Sequence, residues 1–204
     1  MRKIVTTTFI TLDGVMQAPG GPDEDKASGF AFGGWQAPFV DGELMKTMGE
    51  WLGQPFELLL GRKTYDIFAA YWPSNTSVPV VAEPFNATRK YVVSHNPDFK
   101  PTWNNSVVVS GDVAAEIAKL KAMEGKDLWV HGSGSLIQTL LKHQLIDRMH
   151  LWIHPLTIGS GKKLFEQGTQ PATWKLVEAK IGTSGIILAT YEPAGPLETG
   201  TVGT

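Results

Sequence analysis

Apolar positions along the 204 residues alternate between short β-branched runs and stretches of helical spacing. Lys3 to Leu12 is β-branched and aromatic, which predicts a strand near a sheet centre, stopped by Asp13-Gly14. Met16 to Gly34, rich in Gly, Pro and Asp, predicts a long loop of the kind that often carries function. Between Asp41 and Leu52, the residues Leu44, Met45, Met48, Trp51 and Leu52 share one helical face, with Gly53 as the stop. Phe56 to Leu60 predicts a buried strand, and Lys63 to Tyr71 a helix ended before Trp72-Pro73. Ser74 to Thr88 reads as loop.

Lys90 to Val93 and Val107 to Val109 predict two further strands. Asp112 caps a predicted helix that turns Val113, Ile117, Leu120 and Met123 inward and ends at Gly125. Leu128 to His131 is a strand, a helix runs from Ser133 to about Lys142, and Met149 to Ile153 is a strand. Trp174 to Ile181 and Ile186 to Tyr191 form a closing hairpin. Alternating strands and helices imply a mostly parallel sheet covered on both faces, and the hairpin adds an antiparallel edge. One domain over residues 1–193 and a flexible tail over 194–204, poor in anything that packs, account for the chain.

Composition narrows the function. A formal net charge of -2 without a dense Lys/Arg block gives no footprint for nucleic acid. The absence of cysteine removes disulfides, thiol nucleophiles and Cys-ligated zinc, and fits a reducing cytoplasm. The threonines at 6, 7, 8 and 11 interrupt the apolar start, so it reads as a strand and not a signal peptide, and no apolar run has membrane-helix length.

Ligands bind beyond the carboxyl ends of strands in such sheets, so the turns leaving strands carry the chemistry. Gly61-Arg62-Lys63-Thr64 offers helix-start amides and a guanidinium to phosphate, against the alternative of a plain turn with a solvent-facing Arg. Gly132-Ser133-Gly134-Ser135 repeats the arrangement before Leu136, although Ile137 stands where a Rossmann fingerprint needs its third glycine. Ser94-His95-Asn96 adds hydroxyl and imidazole, or is ordinary turn chemistry. Gly159-Ser-Gly-Lys-Lys163 fails as a P-loop, because Leu156 and Lys163 replace a required glycine and hydroxyl. His150 and His154 lack a third metal ligand nearby and read as a surface or edge pair, so no metal is expected. Asp13 and Asp41 are promoted over other carboxylates only by their place at the predicted sheet mouth.

Gly61-Arg-Lys-Thr-Tyr65 resembles a dihydrofolate reductase motif whose Arg and Thr contact NADPH phosphates, and Arg89 to Ser94 is similar to that family's strand ending beside the 2′-phosphate. Leu128 to Leu136 resembles its pyrophosphate and nicotinamide turn. Thr11-Leu-Asp-Gly14 and Pro155-Leu-Thr-Ile-Gly159 resemble the RibD C-terminal branch, the reductase module of riboflavin synthesis, although a Lys common there is replaced by Thr7. Trp35 to Asp41 is similar to the Trp-x-x-Pro-x-Asp stretch of folate enzymes, with one residue extra.

The resemblance implies a three-layer α/β/α dihydrofolate-reductase-like fold and NADPH as cofactor. It makes the chain a cytoplasmic homodimer reducing a small heterocycle, such as 5-amino-6-(5-phosphoribosylamino)uracil. A pterin reductase and a non-catalytic NADPH-binding relative are the alternatives. It assigns Gly61, Arg62, Lys63, Thr64, Ser94, His95, Gly132, Ser133, Gly134, Ser135 and Leu136 to the cofactor. Leu12, Asp13, Trp35 and Asp41 fall to the substrate, with Asp41, then Asp13, as a proton donor of raised pKa.

Overall fold

The computed structural model describes residues 1–203. Its strands are β1 Ile4–Thr11, β2 Phe56–Gly61, β3 Lys90–Val93, β4 Ser106–Val109, β5 Asp127–His131, β6 Arg148–His154, β7 Thr173–Ile181 and β8 Ile187–Gly195. They form one sheet in the order β4-β3-β2-β5-β1-β6-β8-β7. The pairings from β4 through to β6 are parallel, while β8 runs antiparallel to β6 and β7 antiparallel to β8. β1 lies between β5 and β6 with both faces covered, as its β-branched run predicts.

Strand alternation sorts the interior into two layers. Ile4 and Ile10 of β1, with Leu128 and Val130 of β5, pack against α4 Val113–Ala122 and α5 Gly134–Lys142. Val5 of β1, Trp129 of β5 and Trp152 of β6 face the other side, beneath α1 Gly42–Leu52, α2 Arg62–Tyr71 and α3 Pro79–Ala87. The three-layer α/β/α architecture is therefore the observed one.

Four expectations change, the first at Met123, which was expected to face inward but stands just past the end of α4 and is exposed. The segment read as loop from Ser74 to Thr88 contains α3. Pro79 occupies its first turn, where a missing N–H costs nothing. Burial of Val81, Ala82 and Phe85, the last between Phe56, Phe68 and Trp72, outweighs the break at Pro84. His150 and His154 are not a surface or edge pair: β8 and β7 lie outside β6, and both rings are buried. β8 also runs to Gly195, two residues into the stretch assigned to the tail.

Candidate active site

β2 and β5 are neighbours in the sheet, yet their chains leave to opposite faces, β2 into α2 and β5 into α5. Such a switch point opens a crevice at the carboxyl edge. The two glycine turns meet there. Gly61 N–H donates to Ser133 Oγ at 3.0 Å, and Ser133 N–H donates to Thr64 Oγ1 at 3.0 Å. Ser133 Oγ in turn donates to the His131 carbonyl at 3.1 Å.

The lock forces unusual backbone. Gly132 and Ser133 are both left-handed, with φ of 56° and 58°, a conformation that costs a non-glycine residue about 1–2 kcal/mol. Ser133 holds it through its three hydrogen bonds with Gly61, Thr64 and His131. The helix starts differ in a telling way. Asp41 caps α1 and Asp112 caps α4, whereas α2, α3 and α5 have no side-chain cap, and of these α2 and α5 start at the crevice. Their first-turn N–H groups and the positive ends of their dipoles are left for a ligand.

Beside this lock runs a groove of roughly 560 Å³, lined by Gly61, Arg62, Ser94, His95, Ser135 and Leu136 from the sequence candidates. Arg62 is aimed by two contacts: its Nε donates to Asp66 at 2.8 Å, and its guanidinium lies 3.6 Å from the centre of the Phe99 ring. Thr64 and Ser133 are bonded to each other beneath the groove, and Gly132 packs against the Thr64 side chain. Gly134 packs on Met16, whose sulfur lies 3.2 Å from where a Cβ would be. Lys63 points elsewhere, to Asp25 at 2.5 Å. Asn96, singled out with Ser94 and His95, lines the groove too, and Asp112, Thr139 and His143 line it without having been anticipated there. A signal for two of them was available, since Ser135, Thr139 and His143 recur every four residues and form a polar stripe on α5.

Asp25 clasps the loop from Met16 to Gly34 onto the body by accepting from Lys63 and, at 2.7 Å, from Lys162. Burial would raise its pKa, but hydrogen bonds from Lys162 and Lys63 outweigh this and set it at about 2. The carboxylates chosen from sequence are similarly occupied. Asp13 accepts from Thr11 Oγ1 at 2.6 Å and from the Gly159 and Ile158 amides at 2.7 and 3.2 Å. The Thr11 hydroxyl is the main reason its pKa is pushed down to about 2. Asp41 accepts from Leu44 N–H at 2.8 Å, and its second oxygen takes Thr183 Oγ1 at 2.8 Å and Ser184 N–H at 3.0 Å. Those bonds, the Leu44 amide first, hold it well below the usual carboxylate range. The expected raised pKa is thus corrected at both positions: each carboxylate is ionised and bonded to backbone. Trp35 is not an open flat wall. It is buried, donates Nε1–H to the Gln17 carbonyl at 2.7 Å and meets His154 edge-on at 5.0 Å. Leu12 is 62% exposed.

Similarity to known proteins follows the same outline. The family model described as the RibD C-terminal domain matches residues 2–188. The chain belongs to the RibD C-terminal domain family. It is 29% identical over 193 residues to the uncharacterised protein YyaP of Bacillus subtilis (strain 168), covering 93% of this chain and 94% of that one. Its fold is shared with a protein of Shewanella sp. PV-4 provisionally described as a riboflavin biosynthesis protein, with TM-score 0.67, 20% identity and coverage of 94% and 99%. Dihydrofolate reductase of Enterococcus faecalis, solved with NADP(H), shares it at TM-score 0.58 and 15% identity, covering 94% and 96%.

A RibD C-terminal domain chain is a reductase-type chain, and the groove can be tested for a dinucleotide. Two uncapped helix starts and a left-handed Gly132 that brings backbone close suit a pyrophosphate, and the Arg62 guanidinium suits a further phosphate beside it. Serine and imidazole at the end of β3 extend the same lining. The residues fit the group. Among the described residues no helix is long and apolar enough to cross a membrane.

Proposed function

We propose that the protein is an NADPH-dependent reductase of a small heterocyclic substrate, acting in the cytoplasm. One observation carries this reading: the uncapped starts of α2 and α5 are bonded to each other through Gly61, Thr64 and Ser133, and open with Arg62 onto one groove. Arg62, Ser94 and His95 line the part suited to the ribose phosphate, and Ser135 and Leu136 the part suited to the pyrophosphate, with the Gly132-Ser133-Gly134 turn leading into it. Lys63 joins them only if it leaves Asp25. When bound, NADPH supplies a hydride.

The chain's own part is positioning. The β2/β5 crevice fixes the dinucleotide, and the clasp at Asp25 keeps the loop from Met16 to Gly34 over the turn at Gly134. Asp13 and Asp41 border the substrate side by pinning, respectively, the turn at Ile158-Gly159 and the hairpin turn at Thr183-Ser184. Asp41 is engaged at both oxygens by Leu44, Thr183 and Ser184, which favours a uracil-type substrate over a pterin held by a free carboxyl. The edge strand β7 leaves Leu176, Val177 and Ile181 exposed, which supports a homodimer closed over that edge.

The test is a comparison of cofactors. Arg62→Ala is expected to weaken NADPH binding about tenfold or more while changing NADH binding by less than about twofold. Equal losses, or no thermal shift of the wild-type protein with NADPH, would overturn the reading.

A further inference from the structure

Arg62 is the only permanently cationic side chain that lines the groove, and it stands on the first turn of α2 with 39% of that side chain exposed. A long side chain in such a place is free to sweep, and every rotamer pointing away from the groove weakens its hold on a phosphate. Something has to fix it. Asp66, one turn further along α2, takes Nε on both carboxylate oxygens, at 2.8 and 2.9 Å. That is an exposed pair four residues apart, of a kind that contributes little and is screened by salt.

The second contact is of another kind. The central carbon of the guanidinium lies 3.6 Å from the centre of the Phe99 ring, which puts the planar group on the ring face at van der Waals separation. Phe99 is itself anchored. It packs against the interior beneath α1, α2 and α3 and meets Tyr65 edge-on at 5.6 Å. Tyr65 is buried, and its hydroxyl accepts from Trp103 N–H at 2.8 Å. The chain between β3 and Phe99 is folded back by three short-range bonds. Asn96 N–H donates to Ser94 Oγ at 3.2 Å, Asp98 N–H to Asn96 Oδ1 at 2.9 Å, and Phe99 N–H to the Asn96 carbonyl at 3.2 Å. One loop therefore carries two parts. Ser94 lines the groove, whereas Phe99 stands outside it and reaches it only through Arg62.

This arrangement decides which edge of the guanidinium is on offer. Nε is taken by Asp66 and one face lies on Phe99, while the two Nη groups make no hydrogen bond among the described residues. Two parallel N–H groups match two oxygens of a phosphate, and a lone ribose hydroxyl uses that fork poorly. Asp112 is the only carboxylate lining the groove, and it is engaged at the start of α4, accepting from Ala115 N–H at 3.2 Å.

Resting on the reductase reading, we propose that Phe99 is a positioning residue that sets the preference for the phosphorylated dinucleotide, by holding the Arg62 guanidinium flat with its Nη edge toward the phosphate. Phe99 acts through Arg62 and not on the dinucleotide itself.

The test reads the Kd of NADPH and of NADH from nicotinamide fluorescence. Phe99→Leu keeps an apolar side chain against the interior but offers no ring face. It is expected to weaken NADPH about fivefold and NADH less than about twofold, with Phe99→Tyr restoring the wild-type ratio. In an Arg62→Ala background the same change should leave NADPH within about twofold, because the group it positions is gone. Arg62→Lys leaves Phe99 and the charge in place but has neither plane nor fork. It is expected to lose most of the preference, and it keeps the test decisive should Phe99→Leu fail to fold. Equal losses of both cofactors in Phe99→Leu, no rescue by tyrosine, a loss that persists in the Arg62→Ala background, or a full NADPH preference in Arg62→Lys overturns the proposal. Wild-type protein that binds NADPH no better than NADH, or not at all, overturns the reductase reading on which it rests.

Discussion

The phosphate side of this crevice and the layer beneath α1 to α3 are built by different means. On the phosphate side the backbone is the working material: glycine turns, helix starts and one arginine, held by the mutual bonds of Gly61, Thr64 and Ser133. Beneath α1 to α3 the material is instead packed side chain, with Thr7 inside β1, Trp152 inside β6 and His131 at the last position of β5. Backbone chemistry announces itself through glycine at strand ends. A strand-interior threonine or histidine looks like any buried residue until its neighbours are known.

The hardest test of this division is Gly132→Val. At φ 56° a β-branched residue is strongly disfavoured, although its Cβ would stand at an ordinary 3.5 Å from Thr64 Oγ1. Conformation, and not space, is therefore the obstacle. The turn has to rearrange and release Ser133 from Gly61 and Thr64. NADPH affinity, measured from nicotinamide fluorescence, is expected to fall about a hundredfold or more. A loss under about tenfold would mean that the cradle does not depend on the locked turn.

The packed layer has its own signature, in acid. His131 and His150 have pKa values of about 3 and about 4, both set first by burial, against 6.5 in an unfolded chain. Below pH 6.5 the unfolded chain takes up protons that the folded protein refuses, so stability falls as pH drops from 6.5 toward 4. Each histidine accounts for about 2 kcal/mol lost between pH 7 and pH 5. Asp13 and Asp25, at about 2, act in the same direction but only below the carboxylate range, outside that window. Urea unfolding at the two pH values measures the loss. His131→Gln, which cannot titrate, is expected to remove roughly half of the share due to this pair. An unchanged pH dependence in that variant would show that His131 is charged or solvated in the folded protein.

How far each side could be read beforehand follows from the same physics. Alternation of apolar periods located every strand of the sheet, and glycine after Leu60 and His131 located the two turns that meet. Spacing along a chain carries no information on sheet order, so β6 with His150 and His154 could pass for an edge although two strands lie beyond it. α3 escaped because prolines at 79 and 84 argue against a helix locally, while the burial of Phe85 that overrides them is a tertiary fact. Asp13 and Asp41 were correctly placed near strand and helix ends. Their main partners, Thr11 and Leu44, are local, while the ties to Gly159 and Thr183, more than 140 positions away, add to the lowering and could not be read from spacing.

The smallest expected effect falls where α1, which covers the packed layer, is tied to the hairpin turn. Asp41→Asn keeps a side-chain oxygen that can accept from Leu44 N–H, since Asn caps helices about as well as Asp. It loses the charge that receives Thr183 Oγ1 and Ser184 N–H on the second oxygen, so the tie from α1 to the hairpin turn weakens. A drop of a few degrees in Tm at pH 7 is expected. Because the pKa of Asp41 is lowered in the fold, its contribution is present above the unfolded carboxylate value and fades as pH falls through the folded one. The wild-type and variant Tm values should accordingly converge in strong acid. An unchanged Tm in the variant at pH 7 would show that the tie from α1 to the hairpin turn does not depend on the charge of Asp41.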